Sequence, residues 1–392
     1  MAIAKGLISR GHSVKLASSI GYQQKVEGDG IPFVAIPPSF AALEFDEKAR
    51  WRTMNKFDGT RYVIQEHCIP GVEEAYRILL KEGEDADVML GSTLAFALPM
   101  VAHKLRRPYL TSPLQPAAVL SRFDPPRIAG VPWIRYAIPY MHHMSRFMMK
   151  PVYEFARREG LPSTAVPQVF RDSSADGNLI LFSKLIMAPQ PDFPQPYTIC
   201  GFPFYEKEEE RNAELESFLG AGEAPYAFTL GTSAVMDPGR FYDEAYSAVR
   251  AMKKRAVFLV GQHNLDRYRK YQTEEILVIP YAPHSQLMPR SAVTVHQGGI
   301  GTTAQGLRSG KPTVIVPYSH DQPDNAQRCE RLGVSLTLKR ERFRANMLEE
   351  ALRAAPALAD AARQVGELIQ AEDGVAVACE KIAATQPSPR TI

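Results

Sequence analysis

The chain has 392 residues, 45% of them apolar and 23% charged, and carries a net charge of +3. That length and ordinary globular composition allow two domains, each with a core of its own. Nearly balanced charge, with no basic tract interleaved with aromatics, argues against a nucleic-acid partner, and no apolar run approaches the roughly 20 residues that span a bilayer.

Cys68, Cys200, Cys329 and Cys379 are scattered, without C-x-x-C spacing. With no signal peptide, they read as reduced thiols of a cytoplasmic protein. The opening stretch, AIAKGLISRGHSVKLASS, reads as an amphipathic helix, a turn at Gly11 and a strand over residues 13–17. This is the second half of a βαβ unit whose first strand is missing. Further on, residues 20–27 read as helix, 32–35 as extended chain, 72–81 as helix, 88–90 as strand, 94–104 as helix and 108–111 as strand. Such alternation predicts a doubly wound parallel sheet. Ser92 and Thr93 follow one of these strands and Gln115 the next, so they sit on the sheet's carboxyl edge, where they either cap helices or contact a ligand.

Residues 131–150, VPWIRYAIPYMHHMSRFMMK, mix Met, Tyr, Phe and Trp with a few cations. The stretch can line an apolar cleft, lie on a membrane surface as a peripheral contact, or simply pack in a core. His142 and His143 are adjacent and project in different directions, which disfavours a metal pair. Strands at 179–182 and 197–200 close a first domain spanning 1–203. The charged run EKEEERNAELE has few apolar anchors and marks a linker over 204–222.

A second domain, 223–374, opens with a strand at 226–230. Gly231, Thr232 and Ser233 follow, before a helix from residue 238. After strands at 256–260 and 275–280 comes the most informative stretch, AVTVHQGGIGTTAQGLRSGKPTVIVPYSHDQPDNAQRCERLG at 292–333. It predicts a strand, a glycine-rich turn, a helix from about residue 303, a second strand at 313–317 and a second helix from residue 322. Gly298, Gly299 and Gly301 let backbone approach a bulky ligand, Thr302 and Thr303 add hydroxyls at a helix start, and the helix N-terminus favours an anion. His296, beside these glycines, is a candidate phosphate contact. This turn is neither a Walker A loop nor a spaced G-x-G-x-x-G. Asp321 and Gln322 follow the next strand, on the same edge, and can hold hydroxyl groups. Phosphate at one strand end and polyol at the next describe a sugar nucleotide. Residues 375–392 are expected to form a closing helix and a polar tail.

The order His-x-Gly-Gly-x-Gly-Thr-Thr, Gly-Lys-Pro, Asp-Gln-x-x-Asn-Ala resembles the donor signature of the GT-B glycosyltransferases acting on antibiotics, sterols and plant metabolites, and most of all a bacterial branch with rhamnolipid-type rhamnosyltransferases. The resemblance implies two Rossmann-like domains facing across a cleft. It also implies an inverting transfer of a glucose- or rhamnose-like hexose from a UDP- or dTDP-sugar to a hydroxyl of a lipophilic acceptor. No metal ligand set is evident and no cofactor is expected. On this resemblance Gly231, Thr232 and Ser233 contact the diphosphate, and Tyr281 stacks on the base, with His284 standing where many members carry Gln. Gln297 replaces a second His at the Gly-Gly pair, and Gln305 replaces a ribose-binding Glu, which favours a thymidine donor. Asn325 reads as a residue that fixes the loop. Ser92, Thr93 and Gln115 become acceptor contacts. The catalytic base of the family lies ahead of the first helix, so it is expected upstream of Met1, and the protein is expected to be cytoplasmic or peripheral at the inner face of the membrane. An inactive sugar-nucleotide-binding protein and a sugar-nucleotide epimerase of the same architecture are the alternatives.

Overall fold

The structure, a computed structural model, describes residues 1–39, 46–55, 58–127, 134–169, 175–205 and 212–385. The chain divides into two compact units. The first comprises Met1–Thr53, Phe57–Tyr205 and Glu372–Ile392, the second Met54–Lys56 and Glu206–Ala371. Among the described residues no helix is long and apolar enough to cross a membrane.

The first unit holds a parallel pair, β1 (Leu16–Ser18) with β2 (Phe33–Ala35), and a four-stranded parallel sheet of β3 (Met89–Ser92), β4 (Tyr109–Ser112), β5 (Gly177–Ile180) and β6 (Tyr197–Ile199) in that order. Alternate residues of the strands feed two cores, as the period of two requires. Met89 and Tyr109 meet Tyr76, Met100, Val101 and Phe155 from helices Val72–Glu82, Leu98–Leu105 and Lys150–Arg158 on one face. Leu110, Leu179 and Leu181 meet Ala378 and Ile382 on the other. The closing helix Gly374–Ala383 therefore belongs to the first unit's core. It lies against the first helix, Ala2–Ile8, where Gly6 leaves room for Val375 and Cys379.

The second unit is one six-stranded parallel sheet. Its strands are β7 (Tyr226–Thr229), β8 (Ala256–Leu259), β9 (Ile276–Ile279), β10 (Val293–His296), β11 (Thr313–Ile315) and β12 (Ser335–Thr337), in the order β12-β11-β10-β7-β8-β9. Strands β7 to β10 are buried along their whole length, the mark of a parallel sheet covered on both faces. Phe228, Phe258, Val278 and Val295 enter a core with Phe241, Tyr242, Phe343 and Leu352. Ala227, Val257, Leu277 and Ile279 enter a second core with Leu215 and Leu219. These two leucines sit on helix Ala213–Gly220, capped by the Asn212 side chain. The segment 213–220, expected to be linker, is thus part of the second unit, with Glu214 exposed on a helix whose Leu215 is fully buried. Residues 206–211 of that run, 131–133 of the aromatic stretch and 386–392 of the tail lie outside the described residues. Helix Glu47–Thr53 and strand β12 were not anticipated, being too short to show a period.

One close approach on the sheet's second face is a test of this packing. A Cβ added at Gly366, in helix Ala359–Gln370, would come to 2.6 Å from Gly310 Cα and 2.8 Å from its nitrogen. Gly366→Ala should destabilise the second unit by about 1–3 kcal/mol through overpacking, despite Ala's better helix propensity of about 1 kcal/mol. A urea titration followed by fluorescence checks this, and an unchanged or raised midpoint contradicts the packing described.

Candidate functional site

In the second unit, β7 and β10 pair directly, with Phe228 opposite Val295 and Thr229 opposite His296. The chain winds one way from β7 towards β9 and the other way from β10 towards β12. The carboxyl ends of β7 and β10 therefore flank the point where the strand order reverses, the usual place for a ligand in an open α/β sheet.

The turns leaving these two strands touch. Gly231 has φ +60°, and a Cβ there would lie 2.2 Å from Gln297 Nε2 and 3.3 Å from Thr302 Oγ1. Both conformation and space demand glycine. Gly299 approaches the same amide, its added Cβ falling 2.9 Å from Gln297 Nε2, while Gly298 has φ +89° and would strike Ile315 at 2.7 Å. Gln297 is only 5% exposed, and its buried Oε1 has no hydrogen-bond partner in the structure. The Gln297 amide is thus wedged between the two turns, short of an acceptor contact it could make. Thr229 Oγ1 accepts from the Gly231 N–H at 3.3 Å and so ties the first turn to the strand. The segment expected to be a turn over Gly231, Thr232 and Ser233 is a short helix, Gly231–Ala234, with Thr232 exposed.

Helix Ile300–Arg308 starts immediately after Gly299, so its first amides have no partner within the helix and carry the positive end of its dipole. Gly301 is exposed with open space around it. Thr302 and Thr303 are buried, and the Thr303 hydroxyl has no partner in the structure. Gln305, one turn on, is half-buried.

His296 is placed differently from expectation. It shares a face with Thr294, beneath the helix, and is fully buried. Its Nδ1 accepts the Gly298 N–H at 3.0 Å, and burial pushes its pKa down to about 3. The ring is neutral, and the hydrogen-bond pattern assigns its proton to Nε2. His296, Thr303, Gly306 and Lys311 line one narrow crevice, and Nε2 has no hydrogen-bond partner in the structure. The ring expected to contact phosphate is buried in the fold, with its Nδ1 occupied by the glycine turn.

Asp321 ends the loop after β11 and reaches the same helix start. Its Oδ2 accepts from Asn325 Nδ2 at 2.6 Å, and its carboxyl also accepts from the Ile300 N–H. The Asn325 amide bonds Gly298 O at 2.9 Å as well, fastening the carboxylate to the glycine turn. Burial raises the Asp321 pKa to about 6, outweighing the hydrogen bonds that favour its charge. Gln322 is also buried, and its Oε1 accepts from the Tyr318 and Ser319 N–H groups at 2.8 and 3.1 Å. Its carbonyl is spent on the loop, so a sugar contact through that oxygen is excluded as the side chain stands and only Nε2 remains for a ligand.

At the end of β9, Tyr281 is exposed and suited to stacking. His284 opens helix His284–Leu287 and is half-buried, with its pKa lowered to about 4 by burial, so it is neutral at physiological pH. It lies close enough to His296 to bear on its charge. Sequence reasoning missed Asn264, whose Nδ2 bonds Val235 O at 2.8 Å and Val260 O at 3.1 Å, holding the loops after β7 and β8 together. Its signal was a lone Asn three residues past a strand-end glycine, Gly261, which has φ +72°.

In the first unit, Ser92 and Ser112 lie opposite each other at the carboxyl ends of β3 and β4. Ser112 Oγ bonds Gly91 O, whereas Ser92 is exposed and Thr93 and Gln115 are half-buried. These three share one sheet edge.

Residues 263–389 match the model of the erythromycin biosynthesis protein CIII-like C-terminal domain. A stretch of 238 residues is 35% identical to the O-mycaminosyltylonolide 6-deoxyallosyltransferase of Streptomyces fradiae, covering 58% of this chain and 54% of the relative. A sterol 3-beta-glucosyltransferase of Arabidopsis thaliana is 24% identical over 416 residues, covering all of this chain and 64% of the relative. The chain thus spans roughly half to two thirds of the length of these relatives. Among solved structures, the kitacinnamycin glycosyltransferase superposes with a TM-score of 0.74 at 19% identity, covering 97% of this chain and 94% of that one. Two Rossmann-like units of parallel sheet, the glycine turns at the switch point and these similarities together give the chain the GT-B fold and liken it to the UDP-glycosyltransferase-like proteins.

Proposed function

We propose that the chain is an inverting glycosyltransferase that moves a glucose- or rhamnose-like hexose from a UDP- or dTDP-sugar to a hydroxyl of a lipophilic small molecule or lipid. The observation that carries this reading is the convergence of two glycine turns on the Gln297 amide, with the Asp321 carboxylate hydrogen-bonded to the same helix start. A diphosphate fits the turns and first-turn amides, and sugar hydroxyls fit the carboxylate. The relatives named above are by name an O-mycaminosyltylonolide 6-deoxyallosyltransferase and a sterol 3-beta-glucosyltransferase, which supports an apolar acceptor bearing a hydroxyl.

In the reaction, the acceptor hydroxyl gives its proton to a base and its oxygen attacks the anomeric carbon. The bond from that carbon to the diphosphate breaks, and the electron pair leaves with the diphosphate. The residues of the second unit stabilise that departure: helix-start amides, the Thr302 hydroxyl and the Gln297 amide donate to the growing charge. This reading takes no metal, since dipole and donors carry the charge. No described residue is assigned the part of the base. Gln305 accepts ribose hydroxyls more weakly than a carboxylate would, which favours a thymidine donor.

Asp321→Asn should leave affinity for the free nucleoside diphosphate unchanged and weaken the sugar nucleotide by about 1.5–3 kcal/mol, roughly 10- to 150-fold, because a charge-assisted hydrogen bond is lost. Isothermal titration with both ligands checks it; equal losses for the two would rule out a sugar contact. Thr302→Val keeps shape and removes a donor, and should weaken the diphosphate itself by about 0.5–1.5 kcal/mol, whereas no change would take the threonine out of the phosphate cradle.

The acidity of Asp321 sets a pH dependence. Its pKa rises from 3.8 in the unfolded chain to about 6 in the fold, so the protonated form is the one the fold favours. This group supports folding most below the unfolded value, and that support is lost as pH rises through about 6. Sugar binding has the opposite sign, since hydroxyls are accepted best by the carboxylate. Affinity for the sugar nucleotide should therefore fall below about pH 6 in the wild type and stay flat in Asp321→Asn. Titrations at pH 5 and 7, a range set by that pKa, decide the matter.

A further inference from the structure

We infer that helix Ile134–Met148 is a membrane-surface element that seats on anionic lipid. The helix carries two apolar faces. One is buried through Ile138, 2% exposed, and continues into Met149 at its end. The other is open to solvent: Tyr136 is 80% exposed, Tyr140 63%, Phe147 65% and Met144 42%. At 100° per residue, Tyr136, Tyr140, His143 and Phe147 fall within roughly 60° of one another, on the side opposite Ile138. His143 and Phe147 also meet edge to face, with centroids 5.7 Å apart. Single exposed apolar side chains are ordinary, but three large ones, Tyr136, Tyr140 and Phe147, aligned over three turns are not.

Charge decides the occupant. No acidic side chain occurs from Arg135 to Lys150. Exposed Arg135 and Arg146 lie along one flank of the aromatic stripe, and exposed Lys150, which opens the next helix, pairs with Glu154 at 3.7 Å. An aromatic stripe edged by cations alone matches a surface that is apolar inside and anionic at its rim, which is how interfacial helices bind. Tyrosines suit the boundary because ring and hydroxyl face different media. A small-molecule pocket would need concave walls that bury most of its ligand, whereas among the described residues these side chains stand exposed along one helix face. This inference goes beyond the transferase reading and does not depend on it.

The test is co-sedimentation of the full chain with vesicles of phosphatidylcholine alone and of phosphatidylcholine with phosphatidylglycerol, at low and high salt. Binding is expected to the anionic vesicles, weakening with salt. Tyr140→Ser with Phe147→Ser should reduce it at least tenfold, and Arg135→Glu with Arg146→Glu by about fivefold or more for each cation. All four positions are exposed, so melting curves should match the wild type, and nucleoside diphosphate binding should persist. No sedimentation with anionic vesicles overturns the inference, as does sedimentation that both double variants retain. A dimer in light scattering that the aromatic variant dissolves, with no vesicle binding, would assign the stripe to a second copy of the chain instead. None of these results bears on the donor site.

Discussion

Everything at the candidate site depends on one close approach, that of the Gln297 side chain to the Gly231 backbone. Parallel pairing of β7 with β10 sets neighbouring strand ends about 4.8 Å apart, and both chains turn there within two residues of the sheet. An amide side chain occupies the space between, so that a Cβ at Gly231 would overlap it at 2.2 Å. Glycine at Gly231, with its positive φ, is thus set by packing as much as by any ligand. The same approach aims both turns at one point and brings Thr302 alongside.

The polar atoms around that point divide into two groups. His296, Asn325 and Gln322 spend their hydrogen bonds on the turn and loop: Nδ1 on the Gly298 amide, Nδ2 on the Gly298 carbonyl, Oε1 on two amides of the loop after β11. They make the geometry rigid. The other polar atoms of His296 and Asn325, Nε2 and Oδ1, are buried without partners, as are Gln297 Oε1 and Thr303 Oγ1, a cost of about 1–3 kcal/mol each in a folded protein. Asp321 stands between the groups, tied to Asn325 and Ile300 yet held in surroundings that resist its charge. Unsatisfied groups and a strained ionisation gathered at one strand edge are what a site held ready for a polar ligand looks like.

The first unit solves a different problem. Its sheet is covered by helices on both faces, one of them supplied by the end of the chain, where the backbone of Gly374 lies against Phe202. Glu372, just before it, accepts from Ser183 at 2.7 Å and fixes the return of the chain into this unit. Helix Ile134–Met148 is the exception to this economy of burial, since it turns one apolar face inward and leaves the other in water.

Residue pattern alone was enough to establish alternating strands and helices, the parallel character of the sheets and a glycine turn at a helix start, because period and glycine placement are local properties of the chain. It also placed Asp321 at a strand end and Asn325 as a loop fastener, where the structure finds their hydrogen bonds. It could not tell which way His296 faces, since the choice between the two sides of β10 rests on the pleat and on where helix Ile300–Arg308 packs. Nor could it show that the Gln322 carbonyl is consumed by Tyr318 and Ser319, that residues 213–220 belong to a core, or that one helix has two apolar faces of which one is open. Those are facts about neighbours far apart in the chain. The sequence alone specifies which groups are present; only tertiary contact decides which of them are already satisfied and which remain for a ligand.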